Sequence, residues 1–214
     1  MNNFIKKLKN QLAQPLPGFE AQVKMASFRK KLGNFSYEAP ENPKKEAAVM
    51  CLLFPKNDQW HIALMERAAH EKDKHSGQIS FPGGRYEEDD PTYEYAALRE
   101  TEEEIGVPMK DMTIIGKLTQ LYIPISDFLV HPFVAYCKET PEFELAPDEV
   151  ELLLEPSVKH LLNPNTIKQK TFKSPNGWEL KDVSHYSVEG KIVWGATSMI
   201  MSEFLAVVEN IRQD

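Results

Sequence analysis

Nine acidic side chains crowd the stretch from Gly84 to Gly106: Glu87, Glu88, Asp89, Asp90, Glu94, Glu100, Glu102, Glu103 and Glu104. Only two cations, Arg85 and Arg99, stand among them. The whole chain has 25 Lys and Arg against 32 Asp and Glu, a net charge of −7, so this one segment holds all of the excess. Like charges three and four apart on a helix repel one another. Such a cluster is either fully solvated or neutralised by bound cations.

The spacing of three of these acids favours the second. Glu100, Glu103 and Glu104 stand at i, i+3 and i+4, so on a helix their carboxylates project from one face within about a turn. Oxygen ligands converging in that way suit hard cations such as Mg²⁺ or Mn²⁺. Arg99, four residues before Glu103, can hold that carboxylate in place. The pair Gly83-Gly84 brings bare backbone near the helix, where a carbonyl can add a ligand. From average composition, R-E-x-x-E-E-x-G arises by chance in a chain this long with a probability on the order of 10⁻⁴.

Several elements must position these groups. Asp90 is placed as an N-cap with Pro91 at N1, and the helix TYEYAALRETEEEI then stops at Gly106, a suitable C′ residue. Ala96, Ala97, Leu98 and Thr101 can pack inward, and Glu102 points to solvent. Upstream, AAVMCLLF (47–54) and WHIALMER (60–67) read as two strands joined by a turn at Pro55-Lys56-Asn57-Asp58. Residues 79–81 read as a short strand stopped by Pro82-Gly83-Gly84, and 112–121, 129–137 and 149–154 as further strands. A late hairpin is expected from 178–180 and 185–188, and a closing helix over 193–208. Without a regular βαβ rhythm, the class is α+β, a mixed α/β/α sandwich. Residues 3–14 put Phe4, Ile5, Leu8 and Leu12 at helical spacing. We therefore divide the chain into an N-terminal helical extension packing on the domain (1–45) and the domain itself (46–214). The apolar stripe of the first helix could also serve a homodimer contact.

Composition narrows the setting. Apolar residues make up 42% and charged residues 27%, ordinary for a globular chain, and no apolar run is long enough to span a bilayer. The lysine-rich start lacks the apolar core of a secretory leader. Two cysteines, Cys51 and Cys137, make neither a disulfide framework nor a zinc site, so a reducing cytoplasmic setting fits. The acidic balance argues against nonspecific nucleic-acid binding, since no cationic excess exists to displace counterions, and against a membrane surface.

Residues 84–107, GRYEEDDPTYEYAALRETEEEIGV, resemble the Nudix box, G-x5-E-x7-R-E-U-x-E-E-x-G-U. Gly84, Arg99, Glu100, Glu103, Glu104, Gly106 and Val107 match. The interval from Gly84 to Arg99 is one residue longer than the pattern, Asp90 is nearest to the early acid, and Thr101 replaces the usual aliphatic. Just upstream, LMERAAHEKDKHSGQISFPGG (64–84) resembles the extension of the coenzyme A diphosphatase branch, LLxxRSxxLRxHxGQxxFPGG. Arg67, His75, Gly77, Gln78, Phe81, Pro82, Gly83 and Gly84 match, while the Arg67–His75 interval is one residue longer and lacks the Leu-Arg pair. IPISDFLVHPFVAY, PDEVELLLEPSVKHLLNP and VWGATSMIMSEFL continue the likeness over roughly residues 20–208.

The resemblance implies a Nudix fold with an N-terminal helical extension, holding Mg²⁺ or Mn²⁺ on Glu100, Glu103, Glu104 and Gly84. It implies hydrolysis of the diphosphate of coenzyme A or its derivatives to 4′-phosphopantetheine, or its acyl form, and adenosine 3′,5′-bisphosphate, by water attack at phosphorus. Arg67, His75 and Gln78 would contact the substrate, while Arg99, Gly83 and Gly106 support the site. Glu100, Glu103 and Glu149 would carry the catalysis, with Glu100 and the remote Glu149 the candidates for the base. Two alternatives stand beside this: a Nudix enzyme for another nucleoside diphosphate derivative (an ADP-sugar, a dinucleotide or a nucleoside triphosphate), and a non-catalytic nucleotide-binding module.

Overall fold

A computed structural model describes residues 2–26, 40–41, 43–69, 77–124, 126–173 and 179–213. It opens with α1 (Asn2–Leu12) and the short α2 (Gly18–Gln22), and then enters a long strand, β1 (Lys45–Lys56). Asn57 and Asp58, both at positive φ (50° and 57°), turn the chain back into β2 (Gln59–Ile62). Two central residues in that conformation match the right-handed twist of paired strands.

The run expected as one strand over 60–67 is divided. β2 pairs with β1, whereas β3 (Leu64–Arg67) leaves at Ala63 to join a second sheet with β4 (Ile79–Ser80) and β9 (Val150–Leu154). Next come β5 (Gly83–Arg85), paired to β1, and α3 (Tyr93–Ile105). The expected strand over 112–121 is likewise two, β6 (Met112–Lys117) and β7 (Leu121–Ile123), both against β8 (Phe128–Cys137). Leu118 N–H still bonds β8 at the Pro132 carbonyl, and the break comes at Thr119, whose N–H turns to the Glu203 carboxylate. After β9 come a one-turn helix, α4 (Val158–Leu161), a third sheet of β10 (Ile167–Lys173), β11 (Glu179–Val188) and β12 (Lys191–Val193), and the long α5 (Gly195–Gln213). The late hairpin is thus larger than expected, and its proposed start at Trp178 lies outside the described residues.

The central sheet runs β2-β1-β8-β6, and β1 and β8 are parallel at its middle. Strand alternation divides the interior in two. Cys51 and Leu53 of β1 face α1 and α5, while Ala48, Met50, Leu52 and Phe54 face α3. Each large side chain so buried contributes about 1.5–3 kcal/mol. Helices on both faces of a mixed sheet make the architecture α+β. Among the described residues no helix is long and apolar enough to cross a membrane.

One buried acid ties the ends of the described chain together. Glu203 of α5, fully buried, accepts from Gly18 N (3.1 Å), Gln22 Nε2 (2.8 Å) and Thr119 Oγ1 (2.6 Å). Such multiple donors are what make a buried carboxylate tolerable. Phe4 of α1 stacks on Trp60 at 6.0 Å, so the first helix lies against the sheet.

Candidate metal and active site

Local chemistry sets where α3 begins. Thr92, in extended conformation, accepts from Tyr95 N (3.2 Å) and is the N-cap, so Asp90 and Pro91 lie outside the helix rather than opening it. Asp90 has a different task. It is buried at 4% exposure, and its carboxylate accepts from Arg99 Nε and Nη2 (both 2.9 Å) and from Glu87 N (2.9 Å). The Arg99 guanidinium holds the Asp90 carboxyl below the usual carboxylate range despite its burial. Gly106, at φ 72°, closes the helix with its N–H on the Glu102 carbonyl.

The same guanidinium also reaches forward. Arg99 Nη1 donates to Glu100 Oε1 and Glu103 Oε2, each at 2.9 Å. One arginine thereby restrains three acids whose mutual repulsion would otherwise splay them. Thr101, in the place of an aliphatic residue, is fully buried and donates to the Ala97 carbonyl, which removes the cost of its hydroxyl.

Glu104 lies deepest, at 1% exposure. Its Oε2 accepts from Gly83 N (2.7 Å), and Arg67 Nη1 stands 3.4 Å from Oε1. Burial pushes this carboxyl up to about 8, against the pull of the Gly83 N–H and Arg67, with Glu100 and Glu149 adding to the rise. Burial also raises Glu100, opposed by Arg99. In both acids desolvation outweighs the pull of the neighbouring cation.

The glycine pair makes this approach feasible. A Cβ on Gly84 would fall 2.2 Å from Glu100 Oε2, so that carboxylate lies directly over bare backbone. At Gly83, φ is 141° and a Cβ would meet the Ala48 carbonyl oxygen at 2.3 Å. Both glycines sit on β5, opposite Ala48 and Val49.

The structure thus gathers Gly83, Gly84, Arg99, Glu100 and Glu104 with Arg67 of β3. Glu149 is exposed just before β9; its carbonyl accepts from Ala68 N (2.8 Å), and its charge is felt at both Glu100 and Glu104. Glu103 is the outermost, with 55% of its side chain exposed. Gln78 is half-buried, its carbonyl accepting from Arg67 N (3.1 Å). His75, with Lys72 and Lys74, lies outside the described residues. Sequence reasoning missed the Asp90–Arg99 pair and the Arg67–Glu104 contact. An acid just before the helix and nine residues from Arg99 hinted at the first; nothing local marks the second, which spans 37 residues.

Among the described residues no three acidic, histidine or cysteine side chains stand close enough together to cage a metal ion. Arg99 holds the place between Glu100 and Glu103, and Glu104 is turned onto Gly83. The donor set nonetheless fits a divalent cation: oxygen ligands only, with Glu104 buried and Glu100 half-buried, both carboxyls raised by desolvation, beside a glycine that leaves room.

The NUDIX domain family model matches residues 44–175. A protein named "Uncharacterized Nudix hydrolase NudL" from Enterobacter sp. (strain 638) is 31% identical over 165 residues, covering 75% of this chain and 81% of its own length. Schizosaccharomyces pombe protein C6G9.05, named as a nudix hydrolase, is 29% identical over 163 residues; the match takes in 76% of this chain but only 56% of that relative. In solved structures, the MutT protein of Methanosarcina mazei Go1 aligns with a TM-score of 0.51 at 15% identity, over 82% of this chain and 99% of that one. The M. smegmatis Nudix hydrolase RenU aligns equally well (TM-score 0.51, 14% identity, 78% and 86% covered). At such identities the two structures speak for the fold alone. With the family model spanning well over half of its length, this chain belongs to the Nudix hydrolase family.

Proposed function

We propose that the protein hydrolyses the diphosphate bond of coenzyme A or its derivatives, releasing 4′-phosphopantetheine (or its acyl form) and adenosine 3′,5′-bisphosphate. Nudix hydrolases generally use divalent metal ions, and here we assign Mg²⁺ or Mn²⁺ to Glu100, Glu103, Glu104 and a glycine carbonyl at Gly84. When bound, the ion neutralises diphosphate charge and lowers the pKa of a water. The observation that carries the reading is Glu104 held between Gly83 N–H and Arg67, because it joins the metal-type helix to the β3–β4 pair bearing the coenzyme A-type motif.

The chain's own groups divide the work. Arg67 stands beside a buried carboxylate, where a phosphate oxygen would compete for its guanidinium. Arg99 and Asp90 fix the helix side chains before substrate arrives, which lowers the reorganisation needed later. The attacking water forms a new P–O bond as the anhydride P–O bond breaks, and its proton passes to Glu149 or Glu100. Gln78 and His75 are assigned to substrate contact.

A second reading within the same fold, hydrolysis of another nucleoside diphosphate derivative, is favoured by the extra residue between Arg67 and His75. Product analysis separates the two. The protein is incubated with coenzyme A, ADP-ribose and a dinucleotide, each with Mg²⁺ or Mn²⁺, beside Glu104→Gln. Adenosine 3′,5′-bisphosphate formed with metal and lost in the variant supports the proposal. Turnover of another diphosphate alone removes coenzyme A as the substrate, and no turnover of any removes the catalytic reading.

A further inference from the structure

The third sheet has the opposite charge to the rest of the molecule. Between Ile167 and Val193 five lysines stand against three acids, in a chain whose net charge is −7. Lys168 and Lys170, two apart on β10, share a strand face; both are exposed, and among the described residues neither forms an ion pair. Lys170 Nζ lies 5.6 Å from the centroid of Phe172, and Phe172 stacks on Trp194 with centroids 4.7 Å apart and planes at 24°. Both rings are half-buried, leaving part of each open to solvent.

This platform is tied to the candidate active site at two points. Lys191 of β12 pairs with Glu66, the residue before Arg67, at 2.5 Å. Thr197, three residues after Trp194, donates to the Ile79 carbonyl of β4 at 3.0 Å. A catalytic helix this acidic repels a polyanion, and a cationic sheet tied to β3 and β4 attracts one. Ammonium groups with no ion pair among the described residues, on a strand whose next aromatic residue joins a half-buried ring stack, are the chemistry that holds a phosphorylated nucleoside.

We propose that Lys168 and Lys170, beside the Phe172–Trp194 stack, bind a phosphate monoester that the substrate carries outside its scissile diphosphate, so that nucleotides bearing this extra phosphate are preferred. The inference rests on the diphosphatase reading above, and its test breaks no diphosphate bond. The full chain is titrated calorimetrically in EDTA with adenosine 3′,5′-bisphosphate and with AMP. Lys168→Gln/Lys170→Gln is compared with Lys6→Gln/Lys9→Gln, which removes the same charge from exposed positions of α1. The wild type should bind the bisphosphate about tenfold more tightly than AMP, the β10 variant should lose that preference, and the α1 variant should keep it. Equal binding of the two nucleotides by the wild type, no binding of the bisphosphate, or equal loss in both variants overturns the proposal. Preference without coenzyme A turnover removes only the proposed substrate; turnover without preference removes only this site.

Discussion

Replacing Glu104 by glutamine should change the sign of its effect on stability with pH. A carboxyl moved from 4.5 to about 8 is protonated in the folded protein over a range where the unfolded chain has already lost its proton. Its favourable contribution is present in full below the unfolded pKa and drains away as pH rises through the folded one, at about 1.4 kcal/mol per pH unit. Between about pH 5 and about pH 8 the metal-free wild type should lose about 4 kcal/mol from this group alone. Glutamine has no such slope. It can keep the bond from Gly83 N–H, but its amide nitrogen would face the Arg67 guanidinium, at a cost of about 1–3 kcal/mol. The variant should therefore be the less stable protein at about pH 5 and the more stable at about pH 8. Urea unfolding of both proteins in EDTA across that range measures the difference directly. Adding Mg²⁺ at the upper pH should stabilise the wild type and leave the variant unmoved. A constant difference between the two proteins at every pH would refute the reasoning.

Asp90→Asn removes the charge that Arg99 faces and should cost about 2–4 kcal/mol near neutrality. Because the Asp90 carboxyl is held low, its stabilisation is present above its unfolded pKa and lost as pH falls through the folded one, so the gap from wild type in urea titrations should close in acid. The glycine pair should separate structure from activity. Gly84→Ala meets only the movable end of Glu100, so its melting temperature should stay near that of the wild type while diphosphate hydrolysis falls by about 100-fold or more. Gly83→Ala meets the backbone of Ala48 and Val49 in a left-handed conformation and should lose about 3 kcal/mol or more, seen as a large drop in Tm.

The parts of this molecule legible in its sequence are those fixed within a few residues. The helix with Glu100, Glu103 and Glu104, the Asn57-Asp58 turn and the edges of β8 all follow from local patterns. The division at Ala63 does not. From Trp60 to Met65 all but one residue are buried, so no period-two alternation remains to mark where the strand changes sheets. The helix start is ambiguous in sequence because Asp90 and Thr92 are both good caps, and Arg99, nine residues from Asp90, makes the choice. Thr119 sits in a stretch (112–121) that reads as unbroken strand until Glu203, 84 residues further on, captures its N–H. Arg67 beside Glu104 is likewise a product of packing between separate sheets and helix, to which no short motif points.

The Glu203 clamp has a consequence for how the protein comes into being. Its donors at Gly18 and Gln22 leave the ribosome well before their acceptor, which lies 185 residues after Gly18. At synthesis rates of about 5–20 residues per second, the first two helices wait roughly 10–40 s before the side chain that secures them exists. Throughout that interval the apolar stripe of α1 has no α5 to cover it, so α1 is open to chaperone capture until α5 emerges. The helix translated some 185 residues later is thus the one that completes α1.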